Sequence, residues 1–151
     1  MKPVSVGVEV SQPVEQVFDF LDVMANHEPF TNHFLQDFEY SGPDRGVGSK
    51  ARVRTALGGR SDVIDIEVVD AARPTLIREQ NVGAGGKRVG NGTYMLAPLP
   101  AGGTQITFQY TWAKAPLSER LAAPLVRAVM RRANTRAMRR LAEQLDALAA
   151  G

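Results

Sequence analysis

The chain has 151 residues, 44% hydrophobic and 23% charged, with a formal net charge of +2 and no cysteine. This length is enough for one domain with a substantial core and too short for two comfortable ones, so we expect a single domain over residues 1–151. The absence of cysteine excludes disulfides, thiolate metal ligands and thiol nucleophiles, and the small net charge shows that the whole chain is not a polycation.

The N-terminal residues do not form an apolar run of the kind that a signal peptide needs, and no uninterrupted apolar stretch is long enough to span a bilayer. Together with the lack of cysteine, this favours a reducing compartment. We therefore expect a soluble, cytoplasmic protein.

The first third predicts one strand and two short helices. Residues 2–10 alternate between apolar and polar, which is typical of a half-buried strand. Ser11 is the expected N-cap of the following helix, with Pro13 in its first turn. Residues 25–33 predict a second short helix, in which Pro29 marks a break or a new start. The apolar residues of the first helix recur at helical spacing: Val14, Val17, Phe18 and Leu21.

Six strand-like segments follow, separated by turns rich in glycine and proline, one of them at Gly58-Gly59. Their short connections predict an antiparallel meander, because parallel neighbours would each need a crossover of about a dozen residues. Residues Gly90 and Gly92 predict a bulge or bend in the fifth segment. The last segment has an aromatic face made by Ile106, Phe108, Tyr110 and Trp112. The six segments are 34–41, 49–57, 62–69, 75–82, 87–97 and 104–112.

A long amphipathic helix is predicted from Ser118 to Ala149, and residues 117–149 contain seven arginines against three acidic residues. The arginines from Arg132 onward lie opposite the apolar stripe, so we expect them to face solvent. The first turns are apolar nearly all round, which either membrane association or a break at Pro124 that redirects the helix would explain. The predicted inner stripe consists of Ala123, Val126, Met130, Ala133, Asn134, Ala137, Met138, Leu141, Leu145 and Leu148.

The order of these elements resembles the START-like superfamily, also called SRPBCC. The resemblance covers nearly the whole chain and is carried by residues 8–21, by Gly46-Val47-Gly48-Ser49 entering a strand, and by Leu96-Ala97-Pro98 before residues 103–108. Residues 124–148 resemble the polyketide cyclase/dehydrase and lipid-transport-like branch. The resemblance implies an α+β helix-grip fold, in which a curved antiparallel sheet of about seven strands wraps around the long C-terminal helix. It also implies a cavity between them that holds a hydrophobic or amphipathic ligand, while leaving binding and catalysis open.

Three other site types fit the sequence poorly. The glycine-rich stretch from Gly83 to Arg88 does not match a phosphate loop. Asn81 stands where the first glycine of that motif is required, and Arg88 stands where its last residue, Ser or Thr, is required, so a hairpin is favoured. The cluster of His27, Glu28 and His33 has no recognised zinc spacing, and surface or capping histidines are the alternative interpretation. A Ser/His/Asp triad lacks a nucleophile elbow.

The candidate site residues are polar or aromatic side chains expected near the cavity. Asn134 lies on the inner stripe and either meets a ligand or bonds to the sheet. Tyr94, Tyr110 and Trp112 suit both a pocket wall and an ordinary core. The strand arginines are expected in solvent: Arg52, Arg54 and Arg78. An Arg78 that faced the cavity instead would bind a ligand carboxylate. Glu79 points to the opposite face from Arg78, so one of the two faces the cavity and the other faces solvent.

The leading hypothesis is the binding of a hydrophobic or amphipathic small molecule, lipid- or polyketide-like, without metal, cofactor or nucleic acid, by a monomer or homodimer. The alternative is a cofactor-independent cyclase or dehydratase in which Asn134, Tyr94 or Arg78 positions a carbonyl. A third is an interaction module that docks a membrane or partner through the basic helix, whose first turns carry Leu121, Leu125 and Val129. The predicted ligand-binding residues are Tyr94, Phe108, Tyr110, Trp112, Met130, Asn134, Met138 and Leu141.

Overall fold

A computed structural model describes residues 1–55 and 61–150. Its sheet has seven strands in the order β1-β7-β6-β5-β4-β3-β2, and every neighbouring pair is antiparallel. The predicted meander and α+β helix-grip fold are confirmed. The end of the predicted strand 49–57 and the Gly58-Gly59 turn lie outside the described residues. The strands are β1 Val4–Val10, β2 Leu35–Ser41, β3 Lys50–Thr55, β4 Asp62–Ala72, β5 Leu76–Gly83, β6 Arg88–Pro98 and β7 Thr104–Lys114.

Two short helices follow β1: α1 at Val14–Leu21, and α2 at Glu28–Thr31, which comes directly after a 3-10 turn at Met24–His27. The predicted cap at Ser11 is wrong. The N-cap is Pro13, whose extended backbone lets its carbonyl accept the amides of Gln16 and Val17. Pro29 lies in the first turn of α2, so it marks a new start rather than an interruption.

The C-terminal helix is divided into α3, Leu117–Leu121, and α4, Ala123–Ala150. The division falls at Ala122, two residues before Pro124, as predicted for a break near this proline. The inner stripe is buried from Ala133 to Leu145, whereas Leu148 in the last turn is 64% exposed. None of the described helices is both long and apolar enough to cross a lipid bilayer.

Helix α4 is fixed along one edge of the sheet. Its backbone comes closest to β1 and to α2, not to the middle strands. Arg127 donates to the carbonyls of Lys2 and Pro3, and Arg131 donates to the carbonyl of Ser5. The backbone of α4 therefore stays near the edge of the sheet, and only its side chains extend toward the centre of the concave face.

Candidate ligand site on the concave face

The concave face of the sheet is built by alternate residues of the central strands. In β5 these are Ile77, Glu79 and Asn81, and the register pairs them with Tyr94, Gly92 and Gly90 of β6. Strand β7 continues the rows with Phe108, Tyr110 and Trp112. The outcome is an aromatic surface with one carboxylate and one amide in its centre.

Two glycines let the aromatic rings lie flat across this surface. A Cβ at Gly90 would collide with the Tyr110 ring and hydroxyl, and one at Gly92 would come 2.9 Å from Cζ of Phe108. The expected irregularity is confirmed by a register shift between Val89 and Gly90. The glycines thus curve the sheet and also make room for large side chains over its centre.

A buried ion pair crosses from the α1–α2 connection to the sheet. Nδ1 of His27 lies 3.4 Å from Oε2 of Glu79, and both side chains are less than 10% exposed. The Nε2–H of His27 donates to the carbonyl of Leu21 at 2.6 Å. The imidazole also contacts the rings of Phe30 and Tyr94, each with centroids 5.4 Å away.

The surroundings of His27 favour its protonated form. Burial lowers its pKa, but the hydrogen bond and charge of Glu79, together with the Leu21 carbonyl, outweigh burial and raise the pKa above 6.5. Nε2 is hydrogen-bonded to the Leu21 carbonyl and Nδ1 faces the Glu79 carboxylate at ion-pair distance, so a protonated ring suits both contacts. This cluster can therefore supply a proton inside an aromatic site.

One polar atom on the same face, Oδ1 of Asn81, is buried without a hydrogen-bond partner among the described residues. Tyr94, also on this face, is 3% exposed, and its ring contacts His27 and Phe108. Burial, followed by the charge of Glu79, raises the pKa of Tyr94 well above 10, so the hydroxyl keeps its proton. Burial also raises the pKa of Tyr110 to about 12.

The inner face of α4 belongs to the same core cluster as this aromatic surface. Met138 and Leu141 are buried, whereas Met130 and Trp112 are only partly buried against the core. The side-chain amide of Asn134 donates to the carbonyl of Met130 at 2.9 Å, one turn earlier in the same helix. This bond lies within the helix and not with the sheet, and a ligand contact by Asn134 stays a prediction.

The strand arginines lie on the opposite, convex face and are exposed, as expected. Arg52 pairs with Asp65 and Arg54 with Asp37, while Arg78 lies 3.8 Å from Asp70. Arg78, a weak catalytic candidate from the sequence, is therefore not brought to the concave face. Strand alternation places Glu79 inward because Ile77, on the same side of β5, belongs to the core.

The segment containing both histidines does not form a metal site. His27 is not a surface residue, which corrects the alternative interpretation of the pair, because its imidazole pairs with the inward carboxylate of Glu79. Glu28 accepts a hydrogen bond from Tyr40, and His33 contacts the Ala133 carbonyl and Arg140. No three potential ligands of the His, Asp or Glu type come together within residues 1–55 and 61–150.

The glycine-rich loop after β5 is a hairpin connection, as predicted. The carboxylate of Asp62 accepts the amide of Ala84 and a hydrogen bond from Arg88. Arg88 also donates to Glu119 at 2.7 Å, and the hydrogen bond with Glu119 is the main reason that its pKa is raised. A protein carboxylate thus occupies the position at which a phosphate would have to bind.

The buried His27–Glu79 pair is the feature that sequence reasoning missed. The alternation of β5 could have placed Glu79 inward, since Ile77 is two residues earlier. The sequence could not identify His27 as the partner of Glu79, because His27 lies 52 positions away in a 3-10 turn that carries no recognisable motif.

Comparisons with known proteins agree with this architecture. A family profile described as polyketide cyclase / dehydrase and lipid transport matches residues 1–146. A crystal structure of a protein from Thermus thermophilus superposes with a TM-score of 0.74 at 19% identity, covering 99% of each chain. DynU16, a protein from the dynemicin biosynthetic locus, superposes with a TM-score of 0.66 at 21% identity, covering 97% of this chain and 48% of DynU16. Ara h 8.0201 superposes with a TM-score of 0.65 at 12% identity, covering 97% of this chain and 98% of Ara h 8.0201. No curated protein matches the sequence.

Proposed function

Because the chain belongs to the polyketide cyclase/dehydrase and lipid transport family of the START-like superfamily, we propose that it binds a hydrophobic or amphipathic small molecule between α4 and the concave face. The family and the helix-grip fold support a hydrophobic ligand. Aromatic walls with a few convergent polar groups are typical of such sites. We also propose that the protein is soluble, acts in the cytoplasm, and is a monomer or a homodimer.

The observation that carries the proposal is the unsatisfied, buried Oδ1 of Asn81 within an aromatic surface. Buried polar groups are nearly always hydrogen-bonded in folded proteins, and leaving one unpaired costs about 1–3 kcal/mol. Oδ1 of Asn81 accepts only, so a ligand must offer it a donor such as a hydroxyl, and the Tyr94 hydroxyl can bond to a polar group of the same ligand because it both donates and accepts. Such a ligand would place its apolar body on Phe108, Trp112 and the inner face of α4.

The N-terminal half of α4 offers the route of entry. Val126, Val129 and Met130 are only partly buried, whereas the inner stripe from Ala133 onward is closed over the sheet. Trp112, at the end of β7, is also partly buried. The ligand therefore enters beside these residues, and Met138 and Leu141 form the closed end.

A pair of matched substitutions tests this site. Native mass spectrometry of the purified protein, incubated with oleate and then desalted, should show one bound oleate. Met130→Trp fills the proposed space from the inner side of α4 and should abolish the complex. Ala128→Trp adds the same indole on the exposed side of the helix and should leave it unchanged. Equal retention of oleate by the two variants would show that binding occurs elsewhere.

The buried ion pair favours a second candidate, an intramolecular aldol cyclase. Glu79 would take the α-proton of a polyketone, the resulting enolate carbon would attack a second carbonyl, and His27 would protonate the alkoxide, giving an isomer of the substrate. Loss of one water would follow in a dehydratase. Incubation with a linear poly-β-ketone should then give a cyclised isomer that Glu79→Gln fails to produce. An unchanged substrate with the wild-type chain would reject this candidate.

A further inference from the structure

Three exposed leucines mark the start of the C-terminal helical segment. Leu117, Leu121 and Leu125 are 61%, 79% and 67% exposed. Leu117 and Leu121 lie one turn apart on α3, and Leu125 lies in the first turn of α4, just after the break at Ala122. Single exposed leucines are ordinary, but three on successive turns form an apolar strip of the kind that meets a partner or a lipid phase.

Uncompensated cations surround and extend this strip. Lys114 and Arg120 flank the first two leucines, and Arg132, Arg136 and Arg139 follow along the outward side of α4. Within the described ranges, none of these five side chains makes a salt bridge. The one acidic residue among the leucines, Glu119, is already paired with Arg88 at 2.7 Å. The outer face of α3 and α4 is therefore positive along most of its length.

A depression of about 610 Å³ lies beside this outer face, between α4 and the end of α2. Arg140 is held there by Oδ1 of Asn32 at 2.7 Å and by Nδ1 of His33 at 2.8 Å. Both acceptors are uncharged, so they orient the guanidinium without neutralising it. The depression is lined by Asn32, His33, Arg136, Arg139, Arg140 and Glu143.

We propose that the outer face of α3 and α4 docks on an anionic phospholipid bilayer, with Leu117, Leu121 and Leu125 entering the acyl boundary and the arginines of the depression holding headgroup phosphates. Charge alone would suit any polyanion, but the leucines gain only from an apolar phase, which a nucleic acid does not offer. Guanidinium groups bind phosphate oxygens through paired N–H donors.

The dimensions of the helix fit this orientation. Fourteen residues separate Leu125 from Arg139, which is about 21 Å at the helical rise. A helix lying parallel to the bilayer therefore brings the leucines and the depression to the surface together. Of the two acidic residues in α4, Glu143 lines the depression beside three arginines, and Asp146 lies about one turn further toward the C-terminus. The surface is independent of the proposed interior site, and it binds lipid whether or not that site holds a ligand.

Vesicle co-sedimentation of the full chain tests the proposal. The wild-type chain should bind vesicles of phosphatidylcholine with phosphatidylglycerol, should bind pure phosphatidylcholine weakly, and should dissociate as salt is raised. The triple variant Arg132→Gln, Arg136→Gln, Arg139→Gln should bind at least roughly tenfold more weakly. The control triple Arg52→Gln, Arg54→Gln, Arg78→Gln removes the same charge from the convex sheet face and should retain binding.

The leucines are tested separately by Leu121→Ser, Leu125→Ser, which changes only exposed side chains. This variant should lose the ability to raise the surface pressure of a phosphatidylglycerol monolayer, which reports insertion. Failure of the wild-type chain to bind anionic vesicles, or an equal loss in the control triple, would overturn the proposal. Binding of single-stranded RNA with the same arginine dependence, without vesicle binding, would also overturn it.

Discussion

Nδ1 of His27 and Oε2 of Glu79 lie 3.4 Å apart in the interior, joining the α1–α2 connection to the central strand of the sheet. A pair of this kind contributes to stability only while both partners are present, because removing one leaves a buried charge or dipole without compensation. It also places the ionisable groups of the interior on the face that α4 covers. Two of the predictions below follow from this geometry.

The first prediction concerns stability against pH. The folded-state pKa of His27 is raised above its unfolded value of 6.5, so its stabilisation is complete below 6.5 and is lost as pH rises through the folded pKa. Urea unfolding, followed by the fluorescence of Trp112, should show this decline for the wild-type chain. Glu79→Gln removes the charge that raises the pKa and should remove the decline. Parallel pH profiles for the two proteins would contradict the ion pair.

The two histidines should titrate on opposite sides of 6.5. Burial, followed by the charges of Arg140 and Arg136, lowers the pKa of His33 despite its contact with the Ala133 carbonyl. His27 moves the other way. Because the chain has only these two histidines, the ring resonances in an NMR titration are easily followed. The substitution His33→Asn assigns them, and two midpoints on the same side of 6.5 would be inconsistent with these environments.

A methyl group at Gly90 should destabilise the protein. Gly90→Ala forces the Tyr110 ring to move, and overpacking of this kind costs typically about 1–3 kcal/mol. Gly7→Ala is the matched control in β1, since the atom closest to its new Cβ, at 2.9 Å, is the end of the flexible Gln105 side chain, and the Ile106 carbonyl oxygen lies at 3.4 Å. Adding Tyr110→Leu to Gly90→Ala should recover part of the loss, as a double-mutant cycle of unfolding free energies would show. Additive losses would mean that the two residues do not contact each other.

The substitution Tyr94→Phe shows whether the Tyr94 hydroxyl serves ligand binding or the stability of the fold. The hydroxyl makes no hydrogen bond within the described part of the chain, so its removal should leave the unfolding free energy of the empty protein within about 1 kcal/mol. Affinity for a ligand with a polar head should fall, measured by oleate titration with calorimetry. A large loss of stability with unchanged affinity would assign the hydroxyl to the core instead.

The sequence predicted the strands and the inner helical stripe because both depend on local periodicity. Alternation in β7 and the spacing of Ala137, Met138 and Leu141 identify buried faces without knowledge of the partner. The helix cap was missed because serine is a common N-cap residue, whereas Pro13 caps α1 through its extended backbone and not through a side chain. The site was predicted less well, since its ion pair joins positions 27 and 79 and no periodicity links residues so far apart.

The central claim is that a ligand binds between α4 and the concave face, and methionine methyl NMR tests it most directly. The chain has five methionines: Met130 and Met138 line the proposed site, Met24 belongs to the core cluster, Met95 lies on the convex side of β6, and Met1 is the first residue. On titration of the methyl-labelled protein with oleate, the account predicts large shifts at Met130 and Met138 and unchanged signals at Met95 and Met1. Shifts confined to Met95 or Met1, or no shift at saturating oleate, would contradict it.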